Sequence, residues 1–275
     1  MSGGKNLREE RRRRSREHLA RHAAALQWTP GLPAPSALAW LERQRPATPG
    51  GVSDRDVAHA AIESLFGSED FPPDYADEDL LWLRDPLGKP YIAWQGAVDA
   101  WAEQRGKQSR HLHVSNSHDG EASIVLAVYS EDLAGLGVDL VHLPRLARIG
   151  KDRDYLLRFA QRFMAPAEWE AFVAAAAQDT EESLRLRVAA HFSLMEATSK
   201  ACGTGLRMGA GIGKPESLSR YALGIECLAP EVTLLFDADA RARLEVLGAT
   251  QYEAYWGADE EYLISAVLLR KKGIG

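Results

Sequence analysis

The sequence predicts an α+β protein with one long helix set against an antiparallel sheet in each half. Two kinds of pattern carry this prediction. From Leu184 to Cys202 apolar residues recur along one stripe (Leu184, Val188, Phe192, Met195, Cys202), and SDRDVAHAAIESLFG at 53–67 places Val57, Ala61, Ile62, Leu65 and Phe66 on one helical face. The C-terminal segments YALGIECLA, EVTLLFDA, TQYEAYW and YLISAVLLR instead alternate or run apolar in blocks bounded by turns, as strands do. With 275 residues, 45% of them hydrophobic and 26% charged, the chain can build one large domain or two small ones.

The elements follow in chain order. Residues 5–16, KNLREERRRRSR, are strongly basic and read as a solvated helix or disordered arm, or else as an electrostatic arm for an acidic partner or RNA. The net charge of −6 argues against a general nucleic-acid binder. Trp28 to Gly51 is dense in proline and glycine and predicts a linker or wrapping segment, with a short helical patch over Ser36 to Arg43. The helix over 53–67 has Ser53 as its N-cap candidate and stops at Gly67. An acidic loop, SEDFPPDYADEDL, then leads to GKPYI, and SIVLAVYSEDLAGLGVDL reads as one or two strands ending at Gly137.

Tyr155 to Phe172 predicts a helix ending near Phe163, a break at Pro166 and a second helix opening with an acidic turn at Glu168. RMGAGIGKPESL is a Gly-rich loop that lacks GxxxxGK[ST] and a leading strand, so it is not a P-loop. No apolar run approaches the roughly 20 residues that span a bilayer, and the N-terminus has no signal-peptide core, so a cytoplasmic location with no membrane is expected. Cys202 and Cys227 show no CxxC spacing and read as small buried apolar residues. The expected division is a basic arm and linker over 1–50, an N-terminal subdomain over 51–136 and a C-terminal subdomain over 137–275.

The chemistry concentrates in the second half. Helical geometry puts Phe192, Glu196 and Lys200 on one line, a turn apart, at the border of the apolar stripe where a cleft edge would lie. Asp139 follows the strand-like approach to Gly137. A carboxylate from a strand end and one from a helix can share a hard cation while leaving positions open for water or phosphate, which suits magnesium. The competing reading is a solvated Glu196–Lys200 ion pair, favourable at this spacing on any helix surface.

HFSLMEATSKACGTGL, His191 to Leu206, taken with GVDLVHLPRL, Gly137 to Leu146, resembles the signature pair of the 4'-phosphopantetheinyl transferases. The matching residues are Gly137, Asp139, Phe192, Glu196, Ala197 and Lys200. HLHVSNSHDGEASIVLAVY, His111 to Tyr129, is similar to the strand, SxSH turn and strand of the larger, surfactin-synthetase-activating type, with Ser117 and His118 on the motif. DPLGKPYI carries Lys89 on that type's GKP element, and RF followed by MAPAEW resembles its RxF and TxxE segment, with Met164 where threonine is usual.

The resemblance implies two similar α/β subdomains related by a pseudo-twofold and meeting near Gly135 to Val138, with coenzyme A between them. It implies transfer of the 4'-phosphopantetheine arm of coenzyme A to a serine of an acyl or peptidyl carrier protein, releasing adenosine 3',5'-bisphosphate. Asp139 and Glu196 would hold magnesium, Glu196 would accept the serine proton, and Lys200 would offset phosphate charge. Lys89, Ser117 and His118 would bind the coenzyme.

Three positions depart from the pattern. Met195 stands where the family has its first lysine, Val141 where a second acid is usual, and His142 where the smaller synthase type has glutamate; His142 is an outer-shell candidate. The alternative is therefore a degenerate member that binds coenzyme A or a carrier without turnover. From the sequence, Met195→Lys is expected to raise the rate modestly, or to lower stability if the side chain belongs to a repacked core; Arg207 is a candidate substitute cation, and removal of residues 1–27 is expected to leave coenzyme binding unchanged.

Overall fold

The computed structural model describes residues 3–22, 36–42, 54–67, 71–72, 74–150, 152–207, 218–219, 221–228 and 231–272. The Ser53 cap, most of the Pro/Gly-rich segment, the Gly-rich loop over 208–217 and the side chains of Arg207 and Cys227 lie outside the described residues. The chain falls into two compact units, residues 1–23 with 29–133, and residues 24–28 with 134–275. Both combine helices with antiparallel strands, as the sequence predicts.

In the first unit, helix α1 (Gly3–Arg21), strand β1 (Ser36–Glu42) and helix α2 (Asp54–Phe66) precede the hairpin β2 (Leu80–Arg84) and β3 (Pro90–Trp94). Helix α3 (Gly96–Gln104) and strands β4 (Leu112–Asp119) and β5 (Ala122–Tyr129) complete it. The main sheet runs β1-β5-β4, all antiparallel. The predicted face of α2 is buried throughout, and its residues join Ala39, Leu41, Val114, Val125 and Ala127 in one core. Gly67 stops the helix where a Cβ would come within 2.5 Å of the Glu63 carbonyl oxygen.

Three sequence expectations are corrected here. Ser36 to Arg43 is not a helical patch: Ser36–Glu42 is β1, paired with β5 from Ser36 opposite Val128 to Glu42 opposite Ala122. Its alanines and leucines favour a helix locally, but ladder pairing and burial of Trp40 and Leu41 override that weak preference. The SxSH motif is not a turn. Ser117 and His118 lie within β4, opposite Ile124 and Ser123. The turn is Gly120–Glu121, where Gly120 takes the positive φ of 60° that a two-residue hairpin favours.

The basic run is not a solvated arm but α1, docked on its own unit. Arg11 pairs with Asp56 at 2.8 Å, and Arg12 Nε donates to Glu63 Oε2 at 3.1 Å. Glu63 is 1% exposed and also accepts from Tyr75 Oη at 2.7 Å. The Trp40 amide donates to Ser15 Oγ at 3.2 Å, and the His22 ring stacks on Trp40. The charge run is thus split between anchors and solvent: Arg13 and Arg14 form exposed pairs with Glu17 and Glu10 one turn away. Truncation of residues 1–27 is therefore expected to unsettle the first unit. Arg12→Ala should cost about 1–2 kcal/mol in denaturant unfolding because it removes a cation from beside a buried carboxylate, while Arg13→Ala should stay within about 0.5 kcal/mol.

The second unit opens with β6 (Leu133–His142), whose first residue closes the preceding unit, and continues with α4 (Leu143–Ile149), α5 (Arg153–Gln161), α6 (Pro166–Ala176) and α7 (Glu181–Ala201). Two short strands, β7 (Leu206–Arg207) and β8 (Leu218–Ser219), pair in parallel. Strands β9 (Leu223–Cys227) and β10 (Thr233–Phe236), helix α8 (Ala238–Leu247), and strands β11 (Ala249–Ala258) and β12 (Tyr262–Lys271) follow. The sheet order is β11-β12-β6, with β11 and β12 antiparallel.

Helix α7 is the spine of this unit. Thr180 caps it, its Oγ1 accepting the Ser183 amide at 3.1 Å, and at its far end Arg243 Nε donates to the Cys202 carbonyl at 2.9 Å. Its apolar stripe packs on α5, α6, β9 and β12. Helix α8 is absent from the sequence prediction although its caps are legible. Asp237 accepts the Ala240 amide at 2.9 Å, and Gly248 ends the helix at φ 68°.

Candidate active site

The site in the second unit is built by a close approach of a helix to a strand. Strand β6 runs through Gly137 to His142 rather than ending at Gly137, so Asp139 sits inside it. Alternation puts Gly135, Gly137 and Asp139 on one face. A Cβ on Gly137 would collide with the Ala197 carbonyl and come within 2.7 Å of the Ala201 amide, and one on Gly135 would collide with the Ala201 carbonyl. The two glycines therefore let the backbone of α7 lie directly on β6. The third residue of that face, Asp139, then meets the helix side chains that flank Ala197 and Ala201.

Those side chains are Glu196 and Lys200. Lys200 Nζ donates to Asp139 Oδ1 at 2.7 Å and to the Val138 carbonyl at 3.0 Å. Asp139 is 6% exposed. Burial pushes the Glu196 carboxyl up to about 7, the Asp139 charge adds to the rise, and Lys200 opposes it. Two carboxylates and one ammonium thus share one partly buried place. The Ser193–Ser265 hydroxyl bond, 2.7 Å long and buried, ties α7 to β12 one turn before Glu196.

The donor set is suited to a hard cation, because Asp139 and Glu196 offer carboxylate oxygens in mutual repulsion that a divalent ion would relieve. Among the described residues no group of three or more His, Cys, Asp or Glu side chains could hold a metal. The protein would contribute two carboxylates, leaving the rest of the shell to water and phosphate oxygens.

The remaining predicted positions are placed as follows. Lys89, Ser117 and His118 belong to the first unit: Ser117 is buried, His118 exposed and Lys89 half-buried in the β2–β3 turn. The Lys89 amide donates to Asp85 Oδ1 at 2.9 Å. His142 turns to the β11–β12 hairpin, with Nε2 3.9 Å from Glu261 and its ring 5.0 Å from Tyr262. Val141 is core.

Met195 is 1% exposed and belongs to the apolar core that also contains Leu156, Phe163, Leu184 and Val188. This favours the second outcome expected for Met195→Lys, a loss of stability, because the ammonium would enter an apolar core. The variant should lose about 3 kcal/mol or more. A lower melting temperature with no gain in turnover is the result expected.

Glu168, read in the sequence as the acidic opening of the second helix, proves to be a clamp. Its Oε1 lies 3.1 Å from His191 Nδ1 and accepts the Ile225 amide at 2.9 Å, joining α6, α7 and β9. The Val138 carbonyl is a site group that sequence reasoning missed, since a backbone oxygen leaves no residue signal.

A family model described as "4'-phosphopantetheinyl transferase superfamily" matches residues 135–263. A holo-[acyl-carrier-protein] synthase of Photorhabdus laumondii is 28% identical over 139 residues, 50% of this chain and 98% of that protein. One from Alteromonas mediterranea is 33% identical over 138 residues, 50% of this chain and 96% of that protein. Among solved structures, holo-[acyl-carrier-protein] synthase from Neisseria meningitidis is 27% identical with a TM-score of 0.38, covering 50% of this chain and 99% of that one. The chain belongs to the 4'-phosphopantetheinyl transferase superfamily and is an enzyme of that class. No helix among the described residues is long and apolar enough to cross a membrane.

Proposed function

We propose that the protein transfers 4'-phosphopantetheine from coenzyme A to a serine hydroxyl of an acyl or peptidyl carrier protein, with Asp139, Glu196 and Lys200 as the reacting centre. The observation that carries this reading is the buried meeting of these three side chains on the two family motifs. Asp139 and Glu196 would hold magnesium, which when bound neutralises charge on the pyrophosphate. Transfer of this kind needs positioning and charge compensation more than covalent help. Glu196 would take the proton of the attacking serine, directly or through water. Lys200 supplies positive charge for the phosphate oxygens. Lys89, Ser117 and His118 are assigned to the phosphates of coenzyme A by their motifs alone.

Met195 and Val141 suggested a member that binds without turnover. Both side chains are core, so their apolar character is explained by packing. The test is incubation with coenzyme A, magnesium and a panel of apo-carrier proteins, followed by intact mass measurement of the carriers. Addition of one phosphopantetheine to at least one carrier is the result expected. Coenzyme binding with every carrier unmodified would instead establish the non-transferring reading.

A further inference from the structure

We infer that Lys200 is the counter-ion of Asp139 until coenzyme A arrives, so that a divalent cation enters this site together with the coenzyme's phosphates rather than ahead of them. The inference rests on the reading of Asp139 and Glu196 as metal ligands and adds an order of binding to it.

The geometry carries the argument. Among the described residues the Lys200 ammonium is fastened to Asp139 Oδ1 at 2.7 Å and to the Val138 carbonyl at 3.0 Å. The carboxylate it holds is buried, so an incoming cation must share Asp139 with a positive charge already in contact with it. Backbone movement offers no relief, because Gly135 and Gly137 lie against the carbonyls of Ala201 and Ala197. The group suited to yield is the lysine side chain. Its head is half-buried on a flexible four-carbon stem, so it has somewhere to go. A pyrophosphate gives the ammonium a partner of higher charge, and its departure leaves Asp139 oxygen to a metal. The coenzyme and the cation then bind with positive coupling, which linkage makes reciprocal.

Manganese serves as the probe, its binding measured by calorimetry or by loss of the free-ion spin-resonance signal, with coenzyme A alone in parallel to subtract chelation in solution. The native protein is expected to bind manganese weakly alone and at least about tenfold more tightly with coenzyme A. Lys200→Gln, which keeps a hydrogen-bond donor but loses the charge, should bind manganese alone about tenfold more tightly than the native protein and lose most of the coupling. Melting curves establish that this variant is folded.

A second variant needs no metal. Asp139→Asn releases Lys200, and in the presence of chelator it should bind coenzyme A several-fold more tightly than the native protein. If Lys200→Gln binds manganese no more tightly and keeps the coenzyme-induced gain, or if Asp139→Asn does not tighten coenzyme binding, the inference is overturned while the metal assignment stands. If manganese binding in the presence of coenzyme A is indifferent to Asp139→Asn, the metal assignment falls and the order of binding falls with it.

Discussion

Replacing Glu196 with glutamine is expected to lower transfer by about a thousandfold while making the free protein more stable above neutral pH. The loss of transfer follows from removing the proposed metal ligand and proton acceptor, and the gain in stability from the cost of burying the carboxyl. The carboxyl is lifted from 4.5 to about 7 by burial and by the neighbouring Asp139. Between those two values the folded state binds more protons than the unfolded chain, so stability falls as pH rises through that window and is level above it. Glutamine abolishes this slope. Its advantage should be on the order of 2–3 kcal/mol at pH 8 and should vanish below about pH 4.5. Thermal melts of the two proteins in chelator across this range check the stability part, and curves that stay parallel would show that Glu196 is not held at a cost to the fold.

The second large effect is expected at Gly137. Adding one methyl group there, Gly137→Ala, sets a carbon into the Ala197 carbonyl and beside the Ala201 amide. Neither neighbour is the end of a flexible side chain, so helix α7 has to move off β6. The cost should be about 3 kcal/mol, and the lost register should take Glu196 and Lys200 away from Asp139. Turnover and melting temperature are expected to fall together. A variant that melts within about 1 °C of the native protein would mean that the close approach is not what places Asp139.

Local signals made much of this site legible in the sequence. Glu196 and Lys200 stand one helical turn apart, and Gly137 precedes Asp139 by two residues, so each pair keeps its relation whatever the tertiary packing. The link between the pairs was not legible. The bonds from Lys200 to Asp139 and Val138 span 61 and 62 positions, and no local pattern encodes them. Met195 was legible as part of the apolar stripe, but family analogy pulled it toward the phosphates, whereas packing in the structure keeps it in the core.

The fold was read with the same strengths and gaps. The amphipathic face of α2 and the apolar strands β5 and β12 follow directly from their patterns. SALAWLE was misread because its residues are good helix formers, and only pairing with β5 makes it a strand. The arginine run was misread because composition does not show which arginines face Asp56 and Glu63. Helix α8 was missed between two strand signals, even though Asp237 and Gly248 mark its ends.

The proposal on which the other expectations depend is that Asp139 and Glu196, on their strand and helix, would hold a metal beside the pyrophosphate of coenzyme A. It is tested most directly by intact mass of an apo-carrier protein after incubation with coenzyme A and magnesium, comparing the native protein, its chelator-treated form and Asp139→Ala. The account predicts addition of one phosphopantetheine by the native protein only. Modification at the native rate by Asp139→Ala, or in the presence of chelator, would contradict it.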